Sequence, residues 1–118
     1  MIYIASPFSH PEKSVEEARY HNVLDYTAHL IQQKIVAFSP IVHCYGMHLK
    51  HKLPGDARYW KRFNEEMLVH AHLLHVLKLD GWETSKGVQA EIQFAKYKKI
   101  PIIHIEGNGL WRESSRTG

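Results

Sequence analysis

Apolar positions along the chain switch between a period of about two and a period of about 3.6, the alternation expected of strands followed by helices. Residues 1–6 read as a short buried strand, 7–11 as a turn, and 14–34 as a helix. Val15, Ala18, Val23, Tyr26, Leu30 and Ile31 fall near one stripe of that helix. Residues 35–39 read as a second strand. Residues 40–55, rich in His, Lys and Gly, read as a long loop of the kind that often carries function. Asp56 is placed to cap a helix running to about residue 71. Residues 73–79 read as a third strand, 80–84 as a turn, 85–98 as a helix and 100–105 as a fourth strand. Residues 107–118 read as a frayed tail, in which Leu110 and Trp111 could dock on a partner chain.

This alternation predicts an α/β fold: one doubly wound, flavodoxin- or Rossmann-like domain over residues 1–106, built as a three-layer sandwich. Its sheet should be parallel, of four or five strands, covered on both faces and joined by right-handed crossovers. In such sheets ligands sit beyond the carboxyl ends of the strands. Residues 6–10, 40–55 and 80–85 meet at that edge.

Composition narrows the function classes. The chain has 118 residues, 44% of them hydrophobic, enough for one core, and no apolar run approaches the roughly 20 residues of a membrane helix. The opening MIYIAS lacks the basic-then-apolar layout of a signal peptide. The single cysteine, Cys44, suits a reducing cytosol. A cytoplasmic protein without a membrane partner is expected. The formal charge of +3 suits an anionic small ligand and is too small to argue for nucleic acid.

The stretch from Leu79 to Glu91 runs from a strand end through a turn into a helix. Ser85 is placed as its N-cap, so the next amides and the positive end of the helix dipole would face an anion, with Gly87 allowing close approach. Ser85 could equally be a cap and nothing more. Glu91 lies beside the stripe of Val88, Ile92 and Ala95, where a carboxylate needs a partner or a task. Pairing with Lys86, Lys98 or a loop histidine would serve as well. Tyr3, inside the first strand, is either a core aromatic or a hydrogen-bond donor to a carboxylate. Ser6, Ser9 and His10, at the first strand–loop junction, are ordinary turn residues or contacts for sugar and phosphate, and Pro7 and Phe8 share that segment. His43, Cys44, His48 and His51 crowd one loop without matching a zinc spacing, so no metal is expected. The lysines at 50, 52, 96, 98 and 99 read as solvated faces.

With those residues in view, the chain resembles the nucleoside 2-deoxyribosyltransferase-like superfamily, and within it a branch of small bacterial and phage proteins. The resemblance covers about residues 1–105. It is carried by Ile2-Tyr3-Ile4-Ala5-Ser6-Pro7, Phe38-Ser39-Pro40-Ile41 with His43, Trp60 before a helix, and Asp80-Gly81-Trp82 through Ser85-x-Gly87-x-x-x-Glu91. It implies that Glu91 is the nucleophile attacking the anomeric carbon and that Tyr3 orients it. Ser85 falls where the nucleoside 5′-monophosphate hydrolases of the superfamily bind phosphate. Ser6, Pro7, Phe8, His43, Asp80, Gly81, Trp82 and Gly87 are then expected around the substrate. Asn64 stands where an aspartate usually helps at the leaving base, and His72 replaces another common aspartate. An amide can hydrogen-bond a base but is no acid, so either another group protonates the base, with His43 and Asp80 as candidates, or activity is weak or lost.

The implied activity is hydrolysis of a nucleoside 5′-monophosphate to free base and sugar 5-phosphate, through chemistry parallel to retaining glycosidases and without a cofactor. The resemblance also implies a homodimer or higher homo-oligomer. A nucleotide-binding protein without turnover and a deoxyribosyltransferase are the alternatives.

Overall fold

The computed structural model describes residues 1–112. Its elements run β1 (Ile2–Ala5), α1 (Lys13–Gln32), β2 (Ala37–Phe38), α2 (Pro40–His51), α3 (Ala57–Leu68), β3 (Leu73–Lys78), α4 (Lys86–Tyr97) and β4 (Ile102–Glu106). The four strands form one parallel sheet in the order β2-β1-β3-β4. The architecture is a doubly wound α/β sandwich. After β1 the chain winds outward to β2, and from β2 it crosses back to β3, so the loops leaving β1 and β3 diverge. That divergence is the switch point at which open α/β sheets make their crevice.

Alternation within the strands divides the core. Tyr3, Ala5, Leu74 and Val76 face Val88, Ile92 and Ala95 of α4 and Leu68 of α3. Ile4 and Leu77 face Val23, Tyr26 and Leu30 of α1 and Ile41 of α2.

Three expectations need correction. Residues 40–51 are helix α2 and not part of a long loop: Ser39 caps it by accepting from the Val42 amide at 3.2 Å, and Pro40 starts the first turn. The buried stripe of α1 is Val23, Tyr26, Thr27, His29 and Leu30; Ile31 is exposed. The sheet is not covered throughout, since Ile103 of the edge strand β4 lies open on the α1 face. Trp111 folds back over that face of its own chain, its ring 5.2 Å from Tyr26 and 4.9 Å from His29, while Arg112 pairs with Asp25 at 3.0 Å. The rest of the expected tail, residues 113–118, lies outside the described residues.

Candidate active site

Three helices begin at the carboxyl edge of the sheet. Ser39 caps α2, Asp56 caps α3 by accepting from the Tyr59 amide at 2.8 Å, and Ser85 caps α4 by accepting from the Val88 amide at 3.3 Å. The residues at these starts line one cleft of about 770 Å³, which also receives the β1–α1 loop. This volume falls in the range of small-molecule sites.

Arg19 of α1 holds the mouth together. Its guanidinium donates to the carbonyls of Phe8 (3.3 Å) and Ser9 (3.0 Å) in the loop after β1, and to the carbonyl of Asp80 (2.9 Å) after β3. It therefore ties the two loops that diverge at the switch point. Gly81 has φ +92°, and a Cβ there would lie 2.5 Å from the Arg19 Nη2. Both the backbone conformation and the clamp require glycine.

Deep in the cleft the Tyr3 hydroxyl, wholly buried, donates to the Glu91 Oε2. Glu91 is half-buried and opens onto the cleft. Burial pushes its carboxyl up to about 8, against the opposing pull of the Tyr3 hydrogen bond, which favours the charged form. The same burial, with the Glu91 charge beside it, holds the Tyr3 phenol well above its ordinary value. Glu91 has no ion pair with Lys86, Lys98 or a histidine among the described residues. Its carboxyl is thus a desolvated acid steadied by one phenol.

Two buried polar atoms have no hydrogen-bond partner among the described residues: the Ser6 Oγ and the Asn64 Oδ1. Both residues line the cleft with Glu91, and Ser6 is only 7% exposed. Orphaned buried polar groups are rare because each forfeits its hydration.

Charge around the cleft is mostly positive. Arg19, Arg58, Lys61 and Lys86 face two carboxylates, Asp56 and Glu91. Arg58, Lys61 and Lys86 have no ion pair among the described residues.

A family described as a domain of unknown function (DUF1937) matches residues 1–107. The chain belongs to this family. No curated protein matches it.

Of the residues singled out in this DUF1937 chain by sequence, Glu91, Asn64, Ser6, Phe8, Gly81, Ser85 and Gly87 line the cleft, with Tyr3 beneath them. Four others lie elsewhere. His43 is exposed on α2, stacked on Phe63 with ring centroids 5.1 Å apart. Asp80 contributes its backbone carbonyl to Arg19. Trp82 packs edge-on against His104 at 5.5 Å. Pro7 is fully buried in the segment between β1 and α1. Gly87 has a structural reason of its own: a Cβ there would meet the Ala57 Cβ at 3.2 Å, so glycine lets the starts of α3 and α4 lie side by side.

Sequence reasoning passed over Arg19, Arg58, Lys61 and Trp60 as lining residues. The signal for Arg58 and Lys61 was present, since both fall in the first turns of a helix whose Asp56 cap was legible. Arg19 carried no such mark, because its role depends on two loops distant in sequence. No group of three or more potential metal ligands converges among the described residues, and none of the described helices is long and apolar enough to cross a membrane.

Proposed function

We propose that this protein hydrolyses the N-glycosidic bond of a nucleoside 5′-monophosphate, with Glu91 as nucleophile. The observation that carries the reading is a carboxyl group, half-buried and hydrogen-bonded to a buried tyrosine, opening onto a cation-lined cleft at the sheet's switch point. The resemblance to the nucleoside 2-deoxyribosyltransferase-like superfamily supplies the chemical template. The phosphate would rest on the free amides at the start of α4, beside Ser85 and Lys86, where helix dipole and charge act together. That anchor fixes the anomeric carbon near Glu91, which is catalysis by positioning.

In the first step the ionised Glu91 attacks the anomeric carbon, and the base leaves with the electron pair of the C–N bond. Water then attacks the same carbon and gives its proton to the group that protonated the departing base, while the bond from that carbon to Glu91 breaks and releases the sugar 5-phosphate and the carboxylate. Asn64 can hydrogen-bond the departing base but cannot protonate it. With His43 and Asp80 outside the cleft, His10 is the histidine that lines it and the candidate donor.

Chromatography of a mononucleotide panel after incubation tests this. Free base and sugar phosphate are expected from at least one nucleotide, and none of either with Glu91→Gln. Intact nucleotides throughout, or equal product from the variant, would overturn it. Binding without turnover is the second reading. It is favoured by Asn64 in place of an acid and by a Glu91 carboxyl whose pKa, pushed to about 8, keeps it mostly neutral near physiological pH. Saturable calorimetric binding with an unchanged ligand would select it.

A further inference from the structure

We propose that the outer face of α3 pairs with the same face of a second copy of this chain, the two helices antiparallel about a two-fold axis. Leu68 is the one buried residue of this helix, although its sequence is amphipathic. Tyr59 and Phe63, one turn apart, are 53% and 38% exposed. Both rings are held in place. Phe63 stacks on His43 with centroids 5.1 Å apart and meets Trp60 edge-on at 5.6 Å, while Tyr59 meets Trp60 edge-on at 5.4 Å. Exposed aromatic rings that are fixed in advance lose little freedom on association and suit an interface.

Charge says what covers them. Arg58, Lys61 and Arg62 occupy the first half of α3, and Glu65 and Glu66 the second. Both signs oppose the dipole of the helix, positive at its amino end and negative at its carboxyl end. Arg58 and Lys61 line the cleft, but Arg62 and Glu66 do not. Arg62 and Glu66 are exposed, one turn apart on the row beside Tyr59 and Phe63, and neither has an ion pair among the described residues. A second α3 running the opposite way sets its acidic half against this basic half. With the axis near Phe63, the two Phe63 rings meet at the centre, and Arg62 of each copy lies within a turn of Glu66 of the other. The helix dipoles then oppose one another as well. A nucleic acid would meet the Glu66 carboxylate on the same face, and an acidic peptide would leave Glu66 unanswered. A partner helix with both signs in reverse order answers both, and α3 is itself such a helix. The pairing is independent of the chemistry of the cleft. One helix face is smaller than the roughly 1,600 Å² of a standard interface, so micromolar association is expected.

Sedimentation velocity of the full chain, from about 1 μM to about 1 mM, tests this across the range of weak interfaces. A monomer–dimer equilibrium is expected. Arg62→Glu and Glu66→Arg should each weaken it about tenfold or more, because each sets like charges opposite one another twice about the axis. An equimolar mixture of the two variants should recover the dimer with one chain of each, since the two reversed charges then face each other and the two native ones do the same. A change of fold in either variant could not produce that recovery. Tyr59→Ser should weaken the dimer, and Ile103→Ser, on the exposed edge strand β4, should leave it unchanged. Monomer alone at about 1 mM, or a mixture no more associated than either variant by itself, would overturn the proposal. So would a dimer that Ile103→Ser dissolves and Arg62→Glu does not touch. A monomer that binds a single-stranded oligonucleotide through Arg62 would assign the face to nucleic acid and overturn it likewise.

Discussion

The two faces of the sheet each bury a tyrosine hydrogen-bonded to a titratable group, and the two pairs differ in their surroundings. On the α1 face the Tyr26 hydroxyl and His75 Nδ1 lie 2.8 Å apart, His29 bonds Gln33 at 2.8 Å, and Trp111 closes over the group. On the α4 face Tyr3 bonds Glu91, the pair opens onto a cleft, and the neighbouring Ser6 and Asn64 each leave a polar atom unpartnered among the described residues. A buried polar pair by itself is compatible with structure alone. A desolvated carboxyl that opens onto a cleft lined by unpaired cations is what distinguishes the second pair, because the cleft offers an anionic ligand both room and charge.

The largest effect that separates the two regions is on turnover. Glu91→Gln should lower the rate of base release by about 10³-fold or more, whereas Tyr26→Phe should leave it within about twofold. Single-turnover assays on both variants check this, and equal losses would erase the contrast.

Stability should respond next, with opposite signs. Glu91 keeps its proton in the fold up to about pH 8, while the unfolded carboxyl loses it near its ordinary 4.5. The folded state therefore binds more protons between those values, and stability falls as pH rises through that window. Glu91→Gln should accordingly be more stable than wild type by a few kcal/mol at about pH 8, with the gain vanishing near about pH 4. His75 runs the other way. Burial lowers its pKa, so the unfolded state binds more protons below its ordinary 6.5, and stability falls as pH drops. Urea titrations at several pH values would show both slopes.

A smaller loss follows from opening the sealed region. Trp111→Ala should cost roughly 2 kcal/mol by uncovering Tyr26 and His29, with nucleotide affinity unchanged. Thermal melting beside calorimetry reads both. The smallest effect is on the pH profile of wild-type turnover. If only ionised Glu91 attacks, kcat/KM rises as pH rises, by about tenfold from about pH 7 to a plateau above its pKa of about 8. A flat profile would separate the chemistry from Glu91.

Much of the fold was legible because strand–helix alternation is a local property. The Glu91 position was legible because one charged residue interrupted an apolar stripe with Ser85 six positions before it. Helix α2 was missed because His, Lys and Gly mask its pattern, although Ser39, Pro40, Ile41 and Cys44 carry a cap and one buried edge. The partner of Glu91 could not be chosen among a phenol, two lysines and a histidine, since that choice depends on how β1 and α4 stack. The Arg19 clamp and the placement of His43 away from the cleft are likewise products of loop geometry that no spacing encodes.

The central claim is that the Glu91 carboxylate bonds to the sugar. A 2′-fluorinated analogue of a nucleotide that the protein cleaves should slow release of the glycosyl-enzyme, because fluorine destabilises the cationic transition state of the second step. Peptide mass mapping after incubation should then find the fluorinated sugar phosphate attached to Glu91. Consumption of the analogue with that peptide unmodified, or an adduct on a different residue, would contradict the account.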